Sequence, residues 1–156
     1  MVGQEATVTF SSRGDEKLRA AANHVRYFGD RGPYGIAPIG YAELLGKTVQ
    51  TESGTQGAIT AELDFPELYR DIDPGGDPLP ILYSGVLEGD VEPGEVLAVT
   101  VDLRVIALTE SWDDDGTQRF QALLPPGVFV SGPNDFGLYV VRPDGEGFAF
   151  SLVERP

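Results

Sequence analysis

Three consecutive carboxylates ahead of a tight-turn glycine, Trp112-Asp113-Asp114-Asp115-Gly116, are the sharpest chemical feature of this 156-residue chain. Oxygen ligands clustered on a turn are what Ca²⁺ takes, so Asp113, Asp114 and Asp115 are the metal candidates. Trp112, with Asp113 and Asp115 beside it, is the candidate for a binding surface on which a sugar could stack. The run departs from an EF-hand loop, which alternates its ligands and closes on a glutamate. Adjacent strand residues also point to opposite faces, so at most two of the three carboxylates converge without backbone help. Asp-Gly is a favoured hairpin turn in its own right, and a turn kept soluble by charge outweighs the calcium reading. A tryptophan at a strand end more often caps a core than it stacks on a sugar.

The remaining candidates are weaker. The loop Asp71-Ile72-Asp73-Pro74-Gly75-Gly76-Asp77-Pro78 resembles a calcium loop only loosely, and a turn-rich linker accounts for it better. His24, the sole histidine, stands on the polar side of a helical pattern with no serine or aspartate placed to partner it. Gly-x-Ser-x-Gly elbows and phosphate-cradling glycine loops ending in lysine are absent. The chain has no cysteine, which removes thiolate chemistry and disulfides together. No catalytic residue is assigned, and no cofactor beyond the Ca²⁺ candidate is expected.

These residues must be positioned by short elements. A strand is expected over 4–10. Ser12 and Asp15 then precede Leu18, Ala21, Ala22, Val25 and Phe28 at helical spacing, with Arg19, Asn23 and Arg26 on the other side. Gly29 ends that helix. Between Asp30 and Tyr41, two prolines and three glycines forbid regular structure, while Tyr34, Ile36, Ile39 and Tyr41 need a surface to lie on. One helical turn is expected over 42–47, stopped at Gly46, and another over Phe65–Tyr69. Residues 50–57 have the composition of a connection, and the module boundary is set at Gly57.

Beyond Gly57 the hydrophobic period becomes two. Strands are expected at 58–64, 80–88, 96–101, 105–111, 118–124, 136–142 and 147–153. A break falls at Asp102-Leu103-Arg104, because sixteen residues would exceed the roughly ten of a long strand. Hairpin turns fall at Asp115-Gly116 and Pro143-Asp144-Gly145. Seven short strands punctuated about every ten residues predict a mainly β protein: an antiparallel, immunoglobulin-like β-sandwich behind a short helical and extended N-terminal segment. Residues 1–57 form that segment and 58–156 the sandwich.

Charge follows the same division. Residues 1–57 carry six basic and six acidic side chains; residues 58–156 carry five and nineteen, which is the whole net charge of −14. Such a balance repels phosphate backbones, so nucleic acid is excluded as a partner, and it favours basic proteins, divalent cations or salty surroundings. No apolar run reaches the roughly 18 residues of a membrane span, so direct membrane insertion is not expected. The first five residues carry neither the basic nor the apolar region of a signal peptide. Nothing in the pattern specifies an oligomeric state.

Phe28-Gly29, Ile39-Gly40-Tyr41 and Leu44-Leu45-Gly46-Lys47 resemble the region just after the catalytic core in actinobacterial membrane-anchored, sulfatase-like proteins of the alkaline-phosphatase superfamily. Leu68-Tyr69, Asp73-Pro74, the run from Gly85 to Gly94, Asp113 to Gly116 with Arg119-Phe120, and Gly132-Pro133-Asn134 before Leu138 to Val141 are similar to their C-terminal β-domain. The resemblance implies an extracytoplasmic domain whose partner is the catalytic domain of the same parent protein. It also implies that residues 28–47 act as a strap docking the sandwich to that domain, with Tyr34 and Tyr41 among the contact residues. The family's Cys/Ser-x-Pro-x-Arg nucleophile motif does not occur here, so no catalytic role carries over.

Overall fold

The computed structural model describes residues 34–50, 59–76 and 79–154. The strand expected over 4–10, the helix with His24 and most of the 50–57 connection lie outside the described residues. Eight strands follow in order: β1 Thr60–Leu63, β2 Leu82–Glu88, β3 Val96–Val101, β4 Arg104–Glu110, β5 Trp112–Asp114, β6 Thr117–Leu123, β7 Phe136–Asp144 and β8 Gly147–Leu152. They form two antiparallel four-stranded sheets, β1-β2-β6-β5 facing β4-β3-β7-β8. Seven of the eight match the expected strands within about two residues. The additional one is β5, made of the Trp112-Asp113-Asp114 run itself.

Alternation sets the core between the sheets. Tyr83 and Leu87 of β2, Leu97, Val99 and Val101 of β3, Phe120 and Ala122 of β6, and Phe136, Leu138 and Val140 of β7 all bury there. Period-two patterning puts each set on one face of its strand. Aromatic rings fill one end. Tyr83 stacks on Phe136 at 5.6 Å between centroids, and Tyr69 meets both edge-on at 4.9 and 5.5 Å. Edge-to-face and offset contacts of this kind add about 1 kcal/mol each beyond burial.

Within the second sheet, β3 is buried on both faces. All six residues of β3 are buried, so its sequence Val-Leu-Ala-Val-Thr-Val cannot alternate. Its outer cover is the chain's own N-terminal strap. The Gly46 and Val49 amides donate to the Val105 and Leu103 carbonyls at 2.8 Å each, and the Val105 amide donates back to Lys47 at 2.9 Å. Leu44, Leu45 and Val49 then pack with Val96, Ala98, Val105, Leu108, Tyr139 and Val141, flanked by Phe148 and Phe150. The helical turn expected here is a 3₁₀ turn over Ala42–Leu44, and Gly46 takes the φ of 85° that ends it.

Both sides of the sandwich are stitched. After β8 the Val153 amide bonds to Leu138 in the second sheet, and the Glu154 amide then bonds to Ile59 beside the first. On the opposite side a single residue, Ser111, separates β4 from β5. Its hydroxyl donates to the Glu92 carbonyl at 2.7 Å and accepts from the Glu95 amide at 3.1 Å. The β3–β4 break is a two-residue turn in which Asp102 and Leu103 both have positive φ, 49° and 63°. Glycine or asparagine normally takes such places, so this turn is held against its local preference by the bonds around it.

Candidate functional site

Among the described residues the strap packs on β3, β4 and β7 of the second sheet, and nothing packs on the outer face of the first. Register aligns Trp112, Arg119, Val86 and Glu62 across it in one row, and Leu82 with Leu123 in a parallel row near its end. Arg119 projects from the centre, and its Nη2 reaches both oxygens of Asp64 at 2.9 Å. The Ser84 hydroxyl donates to the same carboxylate at 2.6 Å. This cation is therefore neutralised in place, in a row that sets apolar Val86 and Trp112 beside the Glu62 carboxylate.

At one edge of this sheet lies an open cleft of ≈ 880 Å³, lined among others by Glu62, Asp64, Tyr69, Arg70, Asn134 and Glu154. Several of its polar groups are engaged in holding loops. The Tyr69 hydroxyl donates to the Leu82 carbonyl. Burial, reinforced by Tyr83, Asp64 and Glu67, pushes the Tyr69 phenol up to about 12. Asn134 accepts from the Val130 amide and donates to the Val130 and Gly132 carbonyls, closing its own turn.

The structure separates the residues singled out in sequence. Trp112 is 39% exposed on the open face, at the edge strand. Asp113 turns back to accept the Gly116 amide at 3.2 Å, while Asp115 and Gly116 occupy the positive-φ places of the hairpin at 50° and 87°. Asp114 stands exposed beside them. Among the described residues no three His, Cys, Asp or Glu side chains gather as a metal site, so Asp113, Asp114 and Asp115 do not converge. Alternation along a strand that ends in a tight turn is the reason. Tyr34 and Tyr41 belong to the strap. Tyr41 is half-buried against Phe148, 5.0 Å between rings, and Tyr34 lines clefts beside Arg104 and Gly127. Tyr41 packs on the other sheet from Trp112, whereas Tyr34 also lines a cleft that reaches Gln121 and Leu123 of β6, in the sheet of Trp112.

The loop read as a linker is ordered where described. Ile72 is buried and exchanges two backbone bonds with Gly132, and Asp73 accepts the Gly75 amide at 2.9 Å. Elsewhere Arg142 donates to Glu95 and to the Asp90 carbonyl, and its hydrogen bond to Glu95 raises its pKa further. Sequence reading missed the Asp64–Arg119 pair and the outward Leu82 and Leu123. The leucines had a signal: each neighbours a core-facing residue, Tyr83 and Ala122, so each must face out. The ion pair spans 55 positions and leaves no local mark.

No family model, curated protein or solved structure matches this chain.

Proposed function

We propose that this chain is a non-catalytic accessory domain, the extracytoplasmic C-terminal β-sandwich of a membrane-anchored sulfatase-like hydrolase, which covers or positions the catalytic domain. The observation that carries this reading is the strap. Residues 39–47, which bear part of the resemblance, are joined to β4 by backbone bonds and share a core with β3, β4 and β7. Strap and sandwich thus act as one body, which suits a domain that fixes the position of a neighbour. The strand order supports the finer, immunoglobulin-like assignment: lettered in chain order, the sheets read A-B-E-D and C′-C-F-G. The engagement of Asp64, Arg119, Tyr69 and Asn134 in structural bonds supports a supporting role over a chemical one.

The purified chain should show no turnover of aryl sulfates or aryl phosphates with Ca²⁺ or Mn²⁺; turnover that survives repurification overturns the proposal. A Ser/Cys-x-Pro-x-Arg motif in the reading frame upstream would support the parent assignment.

One observation favours a second reading, a carbohydrate- or protein-binding module: Trp112 is partly exposed on the uncovered sheet face. In that case glycan-array binding by the intact chain disappears in Trp112→Ala. No glycan bound by the unaltered chain removes the carbohydrate form of this reading.

A further inference from the structure

A strand at a sheet edge offers its backbone donors and acceptors to another chain unless something blunts it. Four strands stand at edges here, β1 and β5 of the first sheet, β4 and β8 of the second. β1 is bonded through Ile59 and Ala61 to Glu154, and β4 through Leu103 and Val105 to the strap. β5 has only three residues, two of them aspartates. β8 has none of these protections. Its six residues, Gly-Phe-Ala-Phe-Ser-Leu, include no charge and no proline, and they pair with β7 without a register shift. The Val153 amide donates to Leu138, so alternation gives Ser151, Ala149 and Gly147 the bonds to β7. Phe148, Phe150 and Leu152 therefore aim their N–H and C=O groups away from the sheet, where no described strand meets them.

We infer that β8 is a self-association edge, which pairs antiparallel with β8 of a second copy about a two-fold axis at Phe150. In that register the open residues meet one another. Phe150 faces its own counterpart and Phe148 faces Leu152 of the second copy, each exchanging both backbone bonds. The side chains suit this pairing. Phe148 and Phe150 are held on the outer face by Tyr41 and Tyr139, at 5.0 and 6.2 Å between rings, and Leu152 is 41% exposed. On the other face, small Ala149 meets Ser151 of the second copy. A chain of net charge −14 repels its own copies across most of its surface, and an uncharged strand is where two can touch. Only the rims conflict, because the register brings Glu146 near Glu154 of the second copy. Each copy has a single unprotected edge among the described residues, so pairing closes at two. Six residues make an edge roughly 20 Å long. Such an edge buries well under the roughly 1,200 Å² of a lasting complex, so the dimer is transient and concentration-dependent. The inference stands apart from any sulfatase-like parent.

Sedimentation velocity of the full chain from about 10 μM to about 1 mM covers the affinities expected of such a contact. The weight-average sedimentation coefficient should rise with concentration, and rise further as added salt screens the two acidic chains. Leu152→Pro removes an N–H that β7 does not use, so the far-ultraviolet circular dichroism should persist while the rise disappears. Glu146→Lys turns the repulsive rim pair into an attractive one. It should increase the dimer fraction several-fold beyond Asp114→Lys, which makes the same charge change on exposed β5 of the other sheet. A chain that stays monomeric to the top of that range, a folded Leu152→Pro protein that still dimerises, or equal effects of the two lysine substitutions each overturns the inference.

Discussion

Replacing Leu44 by alanine tests whether the strap is part of the folded unit or an arm laid on it. Leu44 is only 4% exposed and packs in the cluster with Val96, Ala98, Val105, Leu108, Tyr139 and Val141. The substitution removes three buried carbons, a transfer loss of about 2.4 kcal/mol at ~0.8 kcal/mol each. A cavity term is added, and it is small because a strap on an outer face settles more readily than a strand between sheets. The expected cost is about 3 kcal/mol, which lowers Tm by roughly 6–12 °C for a chain of this length. Urea unfolding followed by tryptophan fluorescence and by far-ultraviolet circular dichroism reads it. Trp112 lies on the other sheet, so a strap that folds with the sandwich shifts both signals together. Leu68→Ala, at an exposed leucine, serves as the control and should stay within about 0.5 kcal/mol. A Leu44→Ala midpoint indistinguishable from that control would refute the reasoning.

Gly85→Ala should destabilise the sandwich by about 3 kcal/mol, because its Cβ would come within 2.3 Å of the Glu62 carbonyl oxygen, a backbone atom that cannot swing away; chemical denaturation checks it. Thr100→Val should stabilise by about 1 kcal/mol, since the Thr100 hydroxyl is fully buried without a hydrogen-bond partner among the described residues and valine keeps the shape; a fall in stability would show that the hydroxyl is used. Tyr69, raised to about 12 from 10.0, keeps its proton in the folded state where the unfolded chain has lost it. Its contribution is therefore complete below pH 10 and is lost as pH climbs towards 12. Stability measured across that interval should fall less steeply in Tyr69→Phe than in the unaltered chain.

Much of the architecture was legible because its signals are local. Period two, Asp-Gly and Pro-Asp-Gly turns, and a strand-length limit located seven strands and the Asp102–Arg104 break to within about two residues. Three facing sets, Leu97/Val99/Val101, Phe120/Ala122/Leu124 and Phe136/Leu138/Val140, are the inner core as their spacing implies. The fourth shows where periodicity stops informing. Phe148 and Phe150 share a face, yet that face turns outward to Tyr41 and Tyr139, while Leu152 is left exposed. Spacing says which residues share a face, but which side of the sheet that face meets depends on what packs there.

By itself, then, the sequence determined a mainly β protein, its turns, its acidic half and the want of thiol chemistry, since each follows from residue type and near-neighbour spacing. Only the tertiary structure decided that the strap lies on its own sheet, that Asp113, Asp114 and Asp115 stay apart, and that Asp64 neutralises Arg119. Those outcomes rest on contacts between residues tens of positions apart, or on the hand of one tight turn. Neither leaves a trace in composition or period.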